Sequence, residues 1–510
     1  MLTNTLRVQV NRLWDAFWCG GISDPLDILE QITYLLFLRH LDDMHTDEES
    51  RPARSRTTMA RCIFPEAKNA KGRDYAALRW SRFKHMAPEE MYAVVREQVF
   101  PFLHTMGRAA STGTGRHMKG IRFTIPTPAV LAQVVDVLDQ VPRGEIDARG
   151  DLYGYMLGKI VGARRSGALS IPRHIVRLML ELTVPNAGDV ICDPASGICG
   201  VLAAAVEYMR EKHPEILRDR QSRKHFHKRM FHGYDSDPAL LRIGSMNMVL
   251  HGVPHADIRH KDWLAQDNGS DEGKYSLLLA APFASSRDQK VIKSKKVESL
   301  FLEQCLRLLK PGGRAAIIVS DSVLSGSSTN QRNLRRKVAE EQRLDAVIAL
   351  PRAVFRPRSE VAMCMLLFTK ANSGRAGQVW FYDVRADGWS LDDRRQPLLD
   401  EEKLGASPLQ PLTRAEQAKN NLPDLLARWR RRGSDELQRP RTAQSFCVPQ
   451  ADIIANGYHL SISRYRQIGA GEASQTHGED AIPVTRSEER RKPSPFSVPS
   501  HNDSASQVTL

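Results

Sequence analysis

The sequence predicts a mixed α/β protein: an N-terminal all-helical domain, then a doubly wound, mostly parallel sheet, then a helical C-terminal segment and a disordered tail. Three observations predict it. From about Pro185 short apolar runs alternate with helix-like stretches, the texture of strands joined by crossover helices. Before that point apolar residues recur at helical spacing. After about residue 470 the chain is polar, Ser- and Pro-rich, and too poor in apolar residues to build a core. The expected units are 1–145 (helical), 146–400 (sheet), 401–468 (partner docking) and 469–510 (tail).

The helical part opens well marked. Asp24-Pro25 sets a capping side chain before a proline in the first helical turn. LDILEQITYLLFLRHLDDM then keeps Leu29, Ile32, Leu36 and Arg39 in register. The charged stretch from Thr46 to Asp74 reads as a loop. Further helices are expected over about 88–107 and 127–142. The strand candidates follow in order: VIC (190–192), MFHGYD (230–235), ADIRHKD (256–262), YSLLLA (275–280), GRAAIIVS (313–320), LDAVIALP (344–351), MCMLLFTK (363–370) and QVWFYDV (378–384). Arg-rich helical sequence, LLARWRRRGSDELQR, comes after them.

The 510 residues are 41% hydrophobic and 26% charged, which excludes a fibrous or wholly disordered chain. No run approaches the ~18 apolar residues of a membrane helix. The start, MLTNTLRVQVNRLWDAFW, lacks a signal-peptide pattern. Seven scattered cysteines form no CxxC pair, so a reduced, cytoplasmic protein is expected, with neither zinc site nor disulfide framework. The net charge of +14 favours a polyanion partner; a solvated basic surface is the bland alternative.

Candidate chemistry gathers at strand ends. The first strand runs into Asp193-Pro194-Ala195-Ser196-Gly197-Ile198-Cys199-Gly200, where Gly197 allows backbone angles that other residues avoid. The second strand ends at Asp235, a carboxylate able to accept from both hydroxyls of a ribose. A helix cap before SDPALLRIGSMNMVL is its alternative role. The third ends at Asp262, which could face an adenine amino group or serve as a cap. His225, His227 and His232 lie close together, but no Cys or carboxylate completes a metal set. Cys192 and Cys199 read as small buried apolar residues. Basic clusters that could meet phosphates are Arg220, Arg223, Lys224, Lys228 and Arg229; Lys290, Lys293, Lys295 and Lys296; Arg332, Arg335, Arg336 and Lys337; and Arg428, Arg430, Arg431 and Arg432.

These motifs, in this order, resemble the modification (M) subunit of type I restriction–modification systems, an S-adenosylmethionine-dependent DNA adenine-N6 methyltransferase. LWDAFW and ILEQITYLLFLRHLDD are similar to that family's helical domain. GDLYGYMLGKI, VICDPASG, FHGYDSDP, RIGSMNMVLHG, LFLEQCLRLLKPGGRAAIIVSDSVL and LDAVIALPRAVF are similar to its Rossmann-like catalytic domain, and RTAQSFCVPQADIIANGYHLSISRY to its closing segment. The resemblance covers about residues 10 to 468. It implies S-adenosylmethionine held at Ile171, Pro172, Asp193, Pro194, Gly197, Gly200, Asp235 and Asp262. It also implies double-stranded DNA, a specificity subunit, a restriction subunit and two M copies per complex as partners. No membrane is implied.

The sequence departs from that family where the chemistry is done. The family's target adenine is flipped into a pocket, and an Asn-Pro-Pro-Phe motif accepts its amino hydrogens and stacks on its ring. Here the motif reads Ala280-Ala281-Pro282-Phe283. Phe283 keeps the stacking ring, but Ala280 has no side-chain acceptor. Losing one such contact costs about 10²–10³ in rate. Ile198 and Ile171 stand where the family has threonines, and the loop after the fourth strand reads as short. The expectation is an M subunit of weak or no methyl-transfer activity. The alternative is a non-catalytic assembly or DNA-binding subunit with a vestigial cofactor pocket.

Overall fold

In the computed structural model the described residues are 4–22, 24–50, 63–65, 67, 68, 72, 74–109, 120–140, 171–262, 271–281, 295–356, 359–371 and 377–467. The expectations for 150–160 and for the tail lie outside them.

The helical region begins with Asn4–Cys19 and Pro25–Glu49. Asp24 caps the second by accepting from the Leu26 N–H at 2.9 Å. This helix runs on to Glu49, so the loop expected from Thr46 begins later. Its Leu29, Ile32 and Leu36 are buried, and so is Arg39, whose guanidinium donates to the Leu138 carbonyl. Helical chain continues from Pro88–Val94 through Val95–Val99 to Phe100–Ala109. The helix Pro128–Asp139 is capped by the Thr127 hydroxyl.

Among the described residues nine strands form one sheet: β1 (Ile191–Asp193), β2 (Phe231–Asp235), β3 (Asp257–His260), β4 (Tyr275–Ala280), β5 (Leu309–Ser320), β6 (Arg343–Ala349), β7 (Met363–Thr369), β8 (Gln378–Asp383) and β9 (Ser445–Pro449). Their order is β3-β2-β1-β4-β5-β7-β6-β8-β9. The five strands from β3 to β5 are mutually parallel; β7 and β9 run against their neighbours. The sequence reading missed β9, which pairs with β8 along Ser445–Pro449.

Alternation along the inner strands separates two apolar layers, as a period of two requires. Leu277, Leu279, Ala316 and Ile318 join the layer with helices Arg173–Thr183 and Gly200–Lys212. Leu278, Ala280, Ile317 and Val319 join the other, with Phe301 and Leu302 of helix Lys295–Leu308. A third cluster fills the helical region and takes in Leu240, Ile243 and Met246 of helix Pro238–Leu250. Arg242 of that helix bridges to Glu30 at 2.9 Å. The helical region and the sheet are thus joined by shared core as well as by an ion pair.

Candidate active site

The chain leaves β1 toward β2 and β3 on one side of the sheet, and β4 and β5 lie on the other. Such a reversal of strand order opens a crevice at the carboxyl ends of the two middle strands. Asp193 ends β1 there, and Ala280 ends β4, with Ala281 next in the chain.

The turn after β1 is tightly held. Gly197 has φ +49°, and Cys199, at φ 59°, is a left-handed residue at the start of helix Gly200–Lys212. The Ser196 N–H donates to the Tyr234 carbonyl at 2.8 Å and the Gly197 N–H to Asp235 Oδ2 at 3.0 Å. Asp235 Oδ1 accepts from the Asp237 N–H at 2.8 Å. The cap of helix Pro238–Leu250 is Asp237, not Asp235, so the capping alternative for Asp235 falls away.

Sequence reasoning missed two residues that seat this turn from helix Pro238–Leu250. Asn247 donates to the Ile198 carbonyl at 2.9 Å, and its own Oδ1 has no partner among the described residues. Gly244 leaves room for the turn: a Cβ there would lie 2.7 Å from Cys199 Sγ and 3.0 Å from the Gly197 carbonyl. The signal was in RIGSMNM, where a glycine and an asparagine interrupt an apolar helix face.

Asp193 is 2% exposed and Asp235 3%. Neither has an ion-pair partner among the described residues. Burial pushes the Asp193 carboxyl up to about 7; the nearby Asp235 charge adds to this, and the Ala195 N–H opposes it. Burial likewise pushes Asp235 up to about 6, against the amides of Asp237 and Gly197. Two buried acids without a cation suit a ligand that brings positive charge and hydroxyl donors. Each Asp235 oxygen holds one amide and retains a lone pair for such a donor.

The remaining expected positions scatter. Asp262 is exposed and lies two residues beyond β3, which ends at His260 rather than at Asp262. Ile171 is buried in the apolar layer that also holds Ala281, and Pro172 begins helix Arg173–Thr183. Ile198, 8% exposed, belongs to the apolar cluster of the N-terminal helices. Ala280 is 0% exposed among apolar neighbours. Pro282, Phe283, Lys290 and Lys293, and the side chains of Lys295 and Lys296, lie outside the described residues. Cys192 and Cys199 are buried, with thiols pushed up by burial.

One basic cluster is corrected. Arg335 is buried and donates to the carbonyls of Tyr458 and Val323, at 2.7 and 2.9 Å, so it fastens the closing segment instead of meeting phosphate. Arg336 pairs with Glu341 and Lys337 with Glu303.

Comparison with known proteins follows the same outline. A family described as N-6 DNA Methylase matches residues 144–473, and one described as HsdM N-terminal domain matches residues 6–138. The methylase subunit of the type I restriction enzyme EcoEI of Escherichia coli is 24% identical over 461 residues, 87% of this chain and 86% of its own. That of EcoKI from E. coli strain K12 is 24% identical over 429 residues, 79% and 75% of the two chains. Among solved structures, a type I restriction-modification methyltransferase subunit from Streptococcus thermophilus superposes with a TM-score of 0.65 at 16% identity, covering 91% of this chain and 99% of that one. A chain from a type I R-M system gives 0.63 at 21% identity, with 89% and 90% covered. These likenesses establish a shared fold.

Proposed function

The chain belongs to the N-6 DNA methylase family, and from that premise we propose that it is the modification subunit of a type I restriction–modification system whose methyl transfer to adenine N6 in DNA is weak or absent. The observation that carries the reading is the contrast within one crevice. Asp193 and Asp235 are buried acids at the ends of β1 and β2, while β4 ends in Ala280, followed by Ala281.

S-adenosylmethionine would supply an electrophilic methyl group. Asp193 and Asp235 are the residues that would hold it, Asp193 toward an ammonium and Asp235 toward ribose hydroxyls. Ile198 and Ile171 add only apolar surface. An adenine amino nitrogen is a poor nucleophile because its lone pair is shared with the ring. Acceptors for its two hydrogens localise that pair on nitrogen, and a methyl side chain at position 280 accepts nothing. What the motif retains in sequence is Pro282 and Phe283, an aromatic ring of the kind that stacks on a base.

The partners that follow are double-stranded DNA, a specificity subunit, a restriction subunit and a second copy of this chain, in the cytoplasm. One observation favours the non-catalytic assembly role as a second reading. Ile198, in the cofactor turn, is built into the core of the N-terminal helices, a structural use of a position where the family motif has a threonine.

The experiment is to sequence N6-methyladenine in the DNA of cells expressing this chain with a cognate specificity subunit. A parallel culture carries Ala280→Asn, Ala281→Pro, Ile198→Thr and Ile171→Thr. Methylation from the repaired chain alone is expected. Equal methylation from both would overturn the inactive reading.

A further inference from the structure

The Arg428–Arg432 run divides in the structure. Arg428 pairs with Asp424 at 2.7 Å and with Glu436 at 3.0 Å, and Arg431 pairs with Asp435 at 3.5 Å. Arg430 and Arg432 have no carboxylate partner among the described residues, and both line a cavity of about 620 Å³. That volume is within the range of small-ligand sites.

The cavity lies at the opposite end of the sheet from Asp193. Its walls include Arg343, the first residue of β6, and Arg314, which is in register with Leu277 and so level with Ile191 at the start of β1. The other charges around it cancel. Arg314 pairs with Asp189 at 2.7 Å, and Arg343 with Asp345 at 2.9 Å. Glu181 pairs with Arg177 at 3.1 Å, and Lys212 with Glu211 at 3.1 Å. Two guanidinium charges are left over.

Arg430 is exposed at the rim, and Arg432 is held in place. Arg432 lies 3.8 Å over the Trp429 ring and donates to the Trp429 carbonyl at 2.9 Å, which fixes its plane. Burial holds its guanidinium below the usual arginine value, so a charged partner would relieve it. The facing wall is strained. Val184, a β-branched residue at φ 47° and 59% exposed, is kept in the left-handed region while Arg314 grips the carbonyls of Thr183 and Val184.

We propose that this basal cavity is a phosphate-binding site, in which Arg430 and Arg432 take the phosphates of a free nucleotide-sized ligand or of a nucleic-acid backbone. Guanidinium groups suit phosphate because their N–H donors match its oxygens in pairs. The site is remote from the β1–β4 crevice, so its occupancy is independent of Asp193.

The test titrates the full-length chain by calorimetry with tripolyphosphate, and measures binding of a short DNA duplex against salt. The variants are Arg430→Gln with Arg432→Gln, the exposed charge reversal Arg430→Glu alone, and Asp193→Asn; melting curves check that each is folded. For a free ligand, tripolyphosphate binding weakens about tenfold or more in the arginine variants and is unchanged in Asp193→Asn. For a backbone phosphate, the salt slope of duplex binding falls by about two in the double variant, and by about one or more in the charge reversal. If neither ligand distinguishes the arginine variants from the parent chain, the proposal is overturned.

Discussion

The two sides of the β1–β4 crevice have fared differently. On the β1–β2 side the acids remain, the turn is fixed by amide hydrogen bonds, and Gly244 still clears space for it. On the β4 side the position that should present an acceptor is a fully buried alanine. On the proposed function, the difference teaches that binding groups and reacting groups are separable even when they share one cleft. The acids are tied into the fold by backbone hydrogen bonds, whereas an acceptor at 280 serves only the chemistry.

The sharpest way to break this comparison is repair. Restoring Asn at 280 and Pro at 281, with threonines at 198 and 171, is expected to raise methylation by about 10²–10³ or more. Sequencing of modified adenine reads it, and an unchanged level would mean that the β4 side was never the deficient one.

The next effect concerns the acids. Asp193→Asn is expected to weaken S-adenosylmethionine binding by about tenfold or more, since a charged hydrogen-bond partner is lost. In the parent chain affinity should rise with pH through about 6 to about 7, as the two acids ionise. Without ligand the sign for stability is the reverse. Between the ordinary carboxylate value of 3.8 and about 7 the folded chain holds protons that the unfolded chain has released. The contribution of these acids to stability is therefore full at low pH and is lost as pH rises through that window. Denaturant melts of parent and Asp193→Asn at pH 5 and pH 8 check it: the variant should gain on the parent at the higher pH.

A smaller effect sharpens the role of the turn. Gly244→Ala drives a methyl group into Cys199 and the Gly197 carbonyl, and should cost about 1–3 kcal/mol. Ile198→Thr should cost about 1–2 kcal/mol, because it removes apolar surface from the helical core and buries a hydroxyl there. Both are read by chemical denaturation. A neutral Ile198→Thr would argue that the turn is not held by the N-terminal helices.

Much of this architecture could be read from the chain. The runs around 190, 231, 275 and 363 became strands within a residue or two, because strands buried on both faces are nearly continuous apolar segments. Asp193 and Asp235 were legible as acids at strand ends and by resemblance to the family's motifs, and only the structure gave the capping role beside Asp235 to Asp237. β9 was not, since SFCVP is short and its partner β8 is more than sixty residues earlier in the chain. Asn247 and Gly244 break the apolar pattern of their helix, but what they touch is a turn far away in the chain, which the pattern cannot name. The Arg428–Arg432 run was visible only as charge. Which members pair internally depends on Asp424, Asp435 and Glu436, and that division is tertiary.

The Ile198 contact also bears on ancestry. One side chain in the turn after β1 joins a core built by the N-terminal helices together with one face of helix Pro238–Leu250. The two regions are therefore a single heritable unit. A chimaera that takes its first helices from a relative with a polar residue at this position would bring a surface built for another plug. Exchange of the N-terminal segment between lineages should succeed best when position 198 and the Leu240, Ile243 and Met246 face travel with it.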